Sequence, residues 1–361
     1  MTLPTRVRVV GTGLLGASIA IALRGRGIDV VLSDPSPTAQ ALARDLGAGR
    51  FAAPDDDPEL VVVAAPPDVV ADVVRAELLA YPRAVVTDVA SVKAGPLMSL
   101  RESASDLSRY VGGHPLAGRE KSGAVGARAD LFAGRPWVLT PSVETHESAV
   151  ATVRSMATAL GATVTVMDAV DHDVAVAAVS HVPQIAASLV AARLRQLPEV
   201  AVSLAGQGIR DVTRIAAGDP ELWTQILSGN ATAVADTLRG LHDDLTALLL
   251  ALDALSAGTG TGARATIAGL VASGNEGQAR IPGKHGSPPT SYAHVVVLVP
   301  DRPGELARLL HDVGAAGVNL EDLRLEHSEG QPVGLADVAV TAASEQPLLA
   351  ALRALGWSVQ G

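Results

Sequence analysis

Cysteine is missing altogether from this 361-residue chain. That absence excludes disulfides, thiolate nucleophiles and cysteine-ligated metals together, and it makes a reducing cytoplasm the expected location. Aromatic residues are scarce as well, at 2% against 48% hydrophobic residues overall. The cores must therefore be built from Ala, Val and Leu, which suits α/β layers and helix bundles better than a β sandwich. Basic charge is short too. Lys and Arg number 28 against 38 Asp and Glu, a formal net charge of −10, which gives no footprint for nucleic acid. A convincing membrane span is also lacking. "RVRVVGTGLLGASIAIALRGRG" imitates a signal peptide, but no small-x-small cleavage site follows it. The stretch from Val174 to Ala192 is only weakly apolar and is broken by Ser180, His181, Pro183 and Gln184. The expectation is a soluble, cytoplasmic protein of two or three domains.

What is present is a regular alternation. Through residues 1–168, short β-branched runs ("RVRVV", "DVVLSD", "LVVVAAPP", "AVVTDVAS") alternate with helical patterns, and "PWVLTP" and "ATVTVMD" add further strands. This predicts a doubly wound parallel sheet of the α/β class. From 169 to 256 the apolar residues recur at helical spacing and strand-like runs vanish, so an all-helical domain is expected. Its last helix has an apolar face too broad for a lone surface helix, which points to burial against a second subunit. Residues 257–291 are rich in Gly, Ser, Thr and Pro and read as a linker. Residues 292–361 read as β-α-β-β-α-β, a ferredoxin-like unit.

"GTGLLG" (Gly11, Thr12, Gly13, Leu14, Leu15, Gly16) fits G-x-G-x-x-G between a strand and a helix. In that context the backbone N–H groups at the helix start can face a pyrophosphate. The next strand ends at Asp34, whose carboxylate can accept hydrogen bonds from an adenosine ribose. No arginine follows closely to pair with a 2′-phosphate, so NAD is expected rather than NADP. Ala65 and Pro66, after the third strand, complete the expected cofactor contacts.

A nicotinamide cofactor implies hydride chemistry, and loss of hydride from a carbinol needs a group to take the hydroxyl proton. "GGHPLAGREKSG" offers His114, which Pro115 and the neighbouring glycines are expected to hold in a short rigid loop outside any regular element. In "DVASVK", just past the fourth strand, Ser91 either orients that imidazole or caps the next helix. "SHVPQ" places His181 on an apolar helix, where it reads more readily as a core histidine than as a ligand. "GIRDVTRIAAGDPELW" offers Arg214 and Trp223, read either as part of a solvated loop or, for the arginine, as a carboxylate binder. No metal is called for.

"GTGLLGAS", "DVASVK", "GGHPLAGREKSG", "SHVPQ" and "RDVTRIAAGDPELW", in that order, resemble the prephenate dehydrogenase family over residues 6 to about 250. The last 70 residues look like an ACT domain, a small amino-acid-sensing module. The resemblance implies a Rossmann-type domain, a helical dimerisation domain and a homodimer. It implies oxidative decarboxylation of prephenate to 4-hydroxyphenylpyruvate with hydride transfer to NAD, in tyrosine biosynthesis. By the same resemblance His114 is the base with Ser91 beside it, Arg214 binds a substrate carboxylate, and His181 binds the substrate. Glu120 belongs to the gate or ion-pair network around the pocket, and Trp223 reaches the partner subunit's pocket. Gln184 stands where the family often has a second histidine, and Gln207 where it commonly has glycine. Both lie near the expected side-chain pocket and leave arogenate or 4-amino-4-deoxyprephenate open as substrates. A regulator without turnover is a distant alternative that would not need His114 and Arg214. In the ACT-like unit, Asp301, Gly304 and Asn319 are the expected contacts of a tyrosine or phenylalanine effector.

Overall fold

The computed structural model describes residues 3–103, 105–118, 123–282, 292–327 and 333–360. They fall into two compact units, Met1–Gln196 with Val212–Leu241, and Leu197–Asp211 with His242–Gly361.

The first unit is built on an eight-stranded sheet. Its strands are β1 (Arg6–Val10), β2 (Asp29–Ser33), β3 (Arg50–Phe51), β4 (Leu60–Val63), β5 (Val85–Asp88), β6 (Tyr110–Pro115), β7 (Pro136–Pro141) and β8 (Thr163–Val166), in the order β3-β2-β1-β4-β5-β6-β7-β8. Helices α1 (Leu14–Arg24), α2 (Pro37–Asp45), α3 (Val70–Ala80), α4 (Ala94–Glu102) and α5 (Glu147–Ala159) connect them. The expectation of an all-parallel sheet needs one correction, because β6 and β7 are antiparallel, Val111 opposite Pro141 through Pro115 opposite Trp137. The central strand β4, Leu-Val-Val-Val, is buried at every position. That is what a strand covered by helices on both faces requires, and it explains why its sequence is a continuous apolar run. On one face Val7, Val9, Ile19, Leu32 and Val62 pack together; on the other Val61, Val63, Val74, Leu78 and Val86 do. The core is aliphatic, with Trp137, Tyr110 and Phe132 as its large aromatic members.

The helical region follows as α6 (Ala169–Val176), a π-helical turn (Ala177–His181), α7 (Val182–Leu194), α8 (Glu199–Val202), α9 (Gln207–Thr213), α10 (Pro220–Gly229) and α11 (Ala231–Ser256). The run Ala169–Leu194 has a mean hydropathy of 1.7 and is long and apolar enough to cross a membrane by length and composition. It nevertheless carries His172, Asp173, His181 and Gln184, all buried in the protein.

The stretch read as a linker carries a helix, α12 (Ala263–Gln278). Gly269, Gly274 and Gly277 sit inside it, each costing about 1 kcal/mol of helix propensity, which is why composition alone hid it. Beyond it come β9 (Tyr292–Pro300), α13 (Glu305–Ala315), β10 (Asp322–His327), β11 (Val333–Thr341), α14 (Ala342–Ala354) and β12 (Ser358–Gln360), with an antiparallel sheet in the order β10-β11-β9-β12. This is the ferredoxin-like topology read from the sequence, closed over a core of Val295, Val297, Leu309, Val338, Leu348 and Trp357.

Candidate active site

Strands β1, β4, β5 and β6 run parallel to one another, so their C-terminal ends share one edge of the sheet, where doubly wound folds bind ligands. At the end of β1 the chain turns through Gly11, whose N–H donates to the Ser33 carbonyl at 2.7 Å. Gly11 has φ +93°, and a Cβ there would collide with the Ala64 carbonyl; a Cβ on Gly16 would collide with the Gly11 carbonyl. These two glycines are demanded by the packing of the turn itself. Gly13 is different. It is the N-cap of α1, no side chain caps the helix there, and a Cβ on it would meet nothing within 4 Å. Open space thus lies before an uncapped helix N-terminus, which fits a pyrophosphate.

Asp34 stands beside this turn. Its Oδ2 accepts from the Thr12 backbone N–H at 2.6 Å and from the Thr12 hydroxyl at 2.8 Å, and its Oδ1 accepts from Ser36 N at 2.8 Å. A carboxylate offers about four acceptor sites, so capacity remains for a ribose hydroxyl while the same group holds the turn. Leu14 and Leu15 are half-buried, Ala65 is half-buried, and Pro66 is exposed just beyond β4. The residues present therefore fit NAD.

His114 lies in β6, not in a loop. The expectation failed because the two preceding glycines serve close packing rather than irregular backbone. A Cβ on Gly112 would strike the Thr140 hydroxyl, and one on Gly113 would lie 2.7 Å from the Asp88 carbonyl. Glycine lets the strand pass, and His114 is delivered buried at the sheet edge.

The imidazole meets residues that the sequence reading missed. Its Nδ1 lies 2.8 Å from His172 Nε2, and His172 Nδ1 lies 2.8 Å from Asp173 Oδ1. Asp173 also accepts the Lys93 and Ala94 backbone N–H groups, each at 2.9 Å, and so caps α4. Ser91, half-buried two residues earlier, is not the cap of that helix. Lys93 is itself buried and ion-paired with Asp88, whose other oxygen accepts from the Tyr110 hydroxyl at 2.7 Å. Asn230, immediately before α11, donates to the Asp173 carbonyl at 2.7 Å and reaches His181 Nδ1 at 3.2 Å. A buried polar network thus links three histidines around one carboxylate. "DHD" at 171–173, ahead of an apolar run, was the available signal for its middle.

Burial holds the His114 imidazole well below the ordinary histidine range, and its electrostatic interactions with the neighbouring His172, Lys93 and His181 lower it further. His181 is also lowered by burial, with the Asp173 carboxylate opposing the shift. The Tyr110 phenol is pushed well up by burial and then by the Asp88 charge, so it stays a donor. A neutral His114 can accept a proton at working pH.

His181, expected to be more readily core than ligand, is buried with its ring edge-on to Trp223 at 6.1 Å. A Cβ on Gly218 would collide with Trp223 Nε1 and lie 3.1 Å from Gln184 Nε2, so Gln184 and Trp223 converge on that glycine. Arg214 is exposed at the head of the 3-10 turn Arg214–Ala217, which ends next to it. Gln207 donates to Asp211 at 2.8 Å on α9. Glu120 lies outside the described residues. In the C-terminal unit Gly304, with φ +90°, opens α13, Asp301 is exposed, and Asn319 donates to Glu321 at 2.9 Å.

Residues 19–166 match the model of the prephenate dehydrogenase nucleotide-binding domain, and residues 168–255 match that of the prephenate dehydrogenase dimerization domain. The chain belongs to the prephenate dehydrogenase family. A protein of Streptomyces niveus named probable prephenate dehydrogenase is 39% identical over 97% of this chain and 98% of its own. Among solved structures, prephenate dehydrogenase from A. aeolicus, in complex with hydroxyphenyl propionate and NAD+, is 28% identical with a TM-score of 0.65, covering 77% of this chain and 97% of that one. Synechocystis arogenate dehydrogenase is 27% identical with a TM-score of 0.62, covering 76% and 98%. The chain is an NAD-dependent dehydrogenase of the prephenate and arogenate type, with a Rossmann-type domain and a dimerisation domain.

Proposed function

We propose that this enzyme converts prephenate to 4-hydroxyphenylpyruvate. The observation that carries the reading is His114, buried and neutral on the sheet edge that also carries the nucleotide turn. When bound, NAD supplies the acceptor for the hydride leaving C4. His114 takes the C4 hydroxyl proton as that hydride departs, leaving a C4 carbonyl. Loss of the ring carboxylate as carbon dioxide then sends its electron pair through the ring to that oxygen, which regains the proton from His114 as the ring becomes aromatic. With aromatisation as the driving force, the protein's task is orientation and proton acceptance. Ser91 lies close behind β5 to hold the reacting hydroxyl, Arg214 offers a fork for a substrate carboxylate, and His181, Gln184 and Trp223 line the remaining pocket.

One observation favours a second substrate. Gln184, where the family often has histidine, is buried beside Trp223, and its amide carbonyl can accept from the ammonium of arogenate. Turnover of prephenate, arogenate and 4-amino-4-deoxyprephenate by the purified enzyme decides between them. Prephenate as the poorest of the three would overturn the proposal.

The working form we propose is a cytoplasmic homodimer. Leu241, Leu245, Leu249 and Leu252 are all exposed along one stripe of α11, a face that a second copy would cover. The ferredoxin-like unit acts as an ACT domain, receiving tyrosine or phenylalanine at Asp301, Gly304 and Asn319, where backbone N–H groups open α13. Deleting residues 292–361 should abolish any response to these amino acids and spare dehydrogenase activity. If the full chain neither binds nor responds to either amino acid, the effector role fails.

A further inference from the structure

A histidine has two ring nitrogens, and His114 can take a proton at Nε2 only when its own ring proton sits on Nδ1. In water the neutral side chain favours the opposite form, so the protein must impose the choice. The buried network does so in one direction. The Lys93 and Ala94 backbone N–H groups can only donate, which makes both oxygens of Asp173 acceptors. His172 Nδ1, 2.8 Å from Asp173 Oδ1, therefore carries a proton. With that proton on Nδ1, His172 Nε2 is the atom left to accept from His114 Nδ1, 2.8 Å away. His114 Nε2 is left as the atom that receives the substrate proton.

We propose that His172 and Asp173 are a positioning pair that fixes the tautomer of His114, leaving Nε2 as its proton-accepting atom. This deepens the assignment of His114 as base and rests on it. His172 is fully buried and wedged edge-on to His114, with ring centroids 5.1 Å apart at 70°, so it has no freedom to turn its nitrogens. The backbone at Asp173 is held by Asn230, and the same carboxylate ties α4 to α6. The charged and titratable groups facing His114 are His172, Lys93 and His181, and Lys93 is already neutralised by Asp88. When the C4 hydroxyl proton arrives at Nε2, the proton on Nδ1 stays in place, and its hydrogen bond to His172 strengthens as the ring becomes cationic. No proton leaves His172. The pair acts through His114 and does not touch the reacting atoms.

Nitrogen-15 NMR of the full chain with NAD bound and histidines selectively labelled tests this, the His114 signals being those lost in His114→Asn. The expected spectrum at neutral pH shows His114 protonated on Nδ1 and bare on Nε2. In His172→Phe, or in Asp173→Asn if the first variant does not fold, the Nε2–H form should become the major one. The kcat should fall about 10²-fold or more, as when a buried carboxylate–imidazole pair loses control of its tautomer, while KM stays within about twofold. Finding the His114 proton on Nε2 in the unsubstituted enzyme overturns the proposal whatever the variants do. So does a folded His172→Phe enzyme with unchanged kcat. Failure of the base assignment is read separately, as full activity in His114→Ala, and leaves the tautomer measurement standing.

Discussion

The glycine-rich turn and the histidine network stand on the same edge of one sheet, yet they are made in opposite ways. The turn is contiguous, Gly11 to Gly16, with Asp34 as its remote side-chain partner, and it works through backbone N–H groups and missing side chains. The network is drawn from β5, β6, the start of α4, α6 and the approach to α11, and its key contacts span 58 and 80 positions of sequence. It works through side chains that are buried, titratable and mutually constraining. A device made of backbone leaves a local signature, whereas a device made of converging side chains exists only after folding.

Substitutions can break this contrast. The largest effect is expected at the base. His114→Ala should lower kcat by about 10²–10⁴-fold and leave NAD affinity unchanged, because the nucleotide turn makes no use of the imidazole. Steady-state kinetics with NAD binding measured in parallel checks both halves. On the other device, Gly16→Ala should destabilise the first unit by about 1–3 kcal/mol and abolish NAD binding, since the added Cβ has no room beside the Gly11 carbonyl. Gly13→Ala should leave Tm unchanged and weaken NAD only, because its Cβ enters the open space before α1. Thermal unfolding with and without NAD separates the two glycines. Equal effects on Tm would remove the distinction between structural and ligand-facing positions.

Smaller effects sharpen the comparison. Arg214→Lys should raise the substrate KM about tenfold, roughly the loss of one charge-assisted hydrogen bond; an unchanged KM places the arginine outside the pocket. Asp34→Asn should shift the ratio of kcat/KM for NAD over NADP by several-fold towards NADP, because it removes the negative charge that opposes a 2′-phosphate. A parent enzyme that already prefers NADP contradicts this reading of Asp34.

The same contrast explains what the sequence disclosed. Alternating apolar runs and the G-x-G-x-x-G spacing were readable because period and turn chemistry are local properties. The antiparallel β6–β7 pair was not, since Gly112 and Gly113 resemble loop formers until Thr140 and the Asp88 carbonyl are seen against them. The helix α12 was masked by its internal glycines. His172 and Asp173 carried only the short "DHD" at 171–173, and their placement beside His114 is what gives them a role. Ser91 does not cap α4, because a carboxylate 80 residues away from Lys93 does so instead.

The central claim is that a buried, neutral His114 accepts the substrate proton. It is tested most directly by the pH dependence of kcat/KM for the unsubstituted enzyme and for His114→Asn. Burial lowers the imidazole pKa in the folded protein, so the proton-accepting form persists below the ordinary histidine value of about 6.5. Activity should therefore hold as pH falls through 6.5 and decline only below it, and this acid limb should vanish in His114→Asn. An acid limb at or above 6.5, or one that survives unchanged in His114→Asn, would contradict the account.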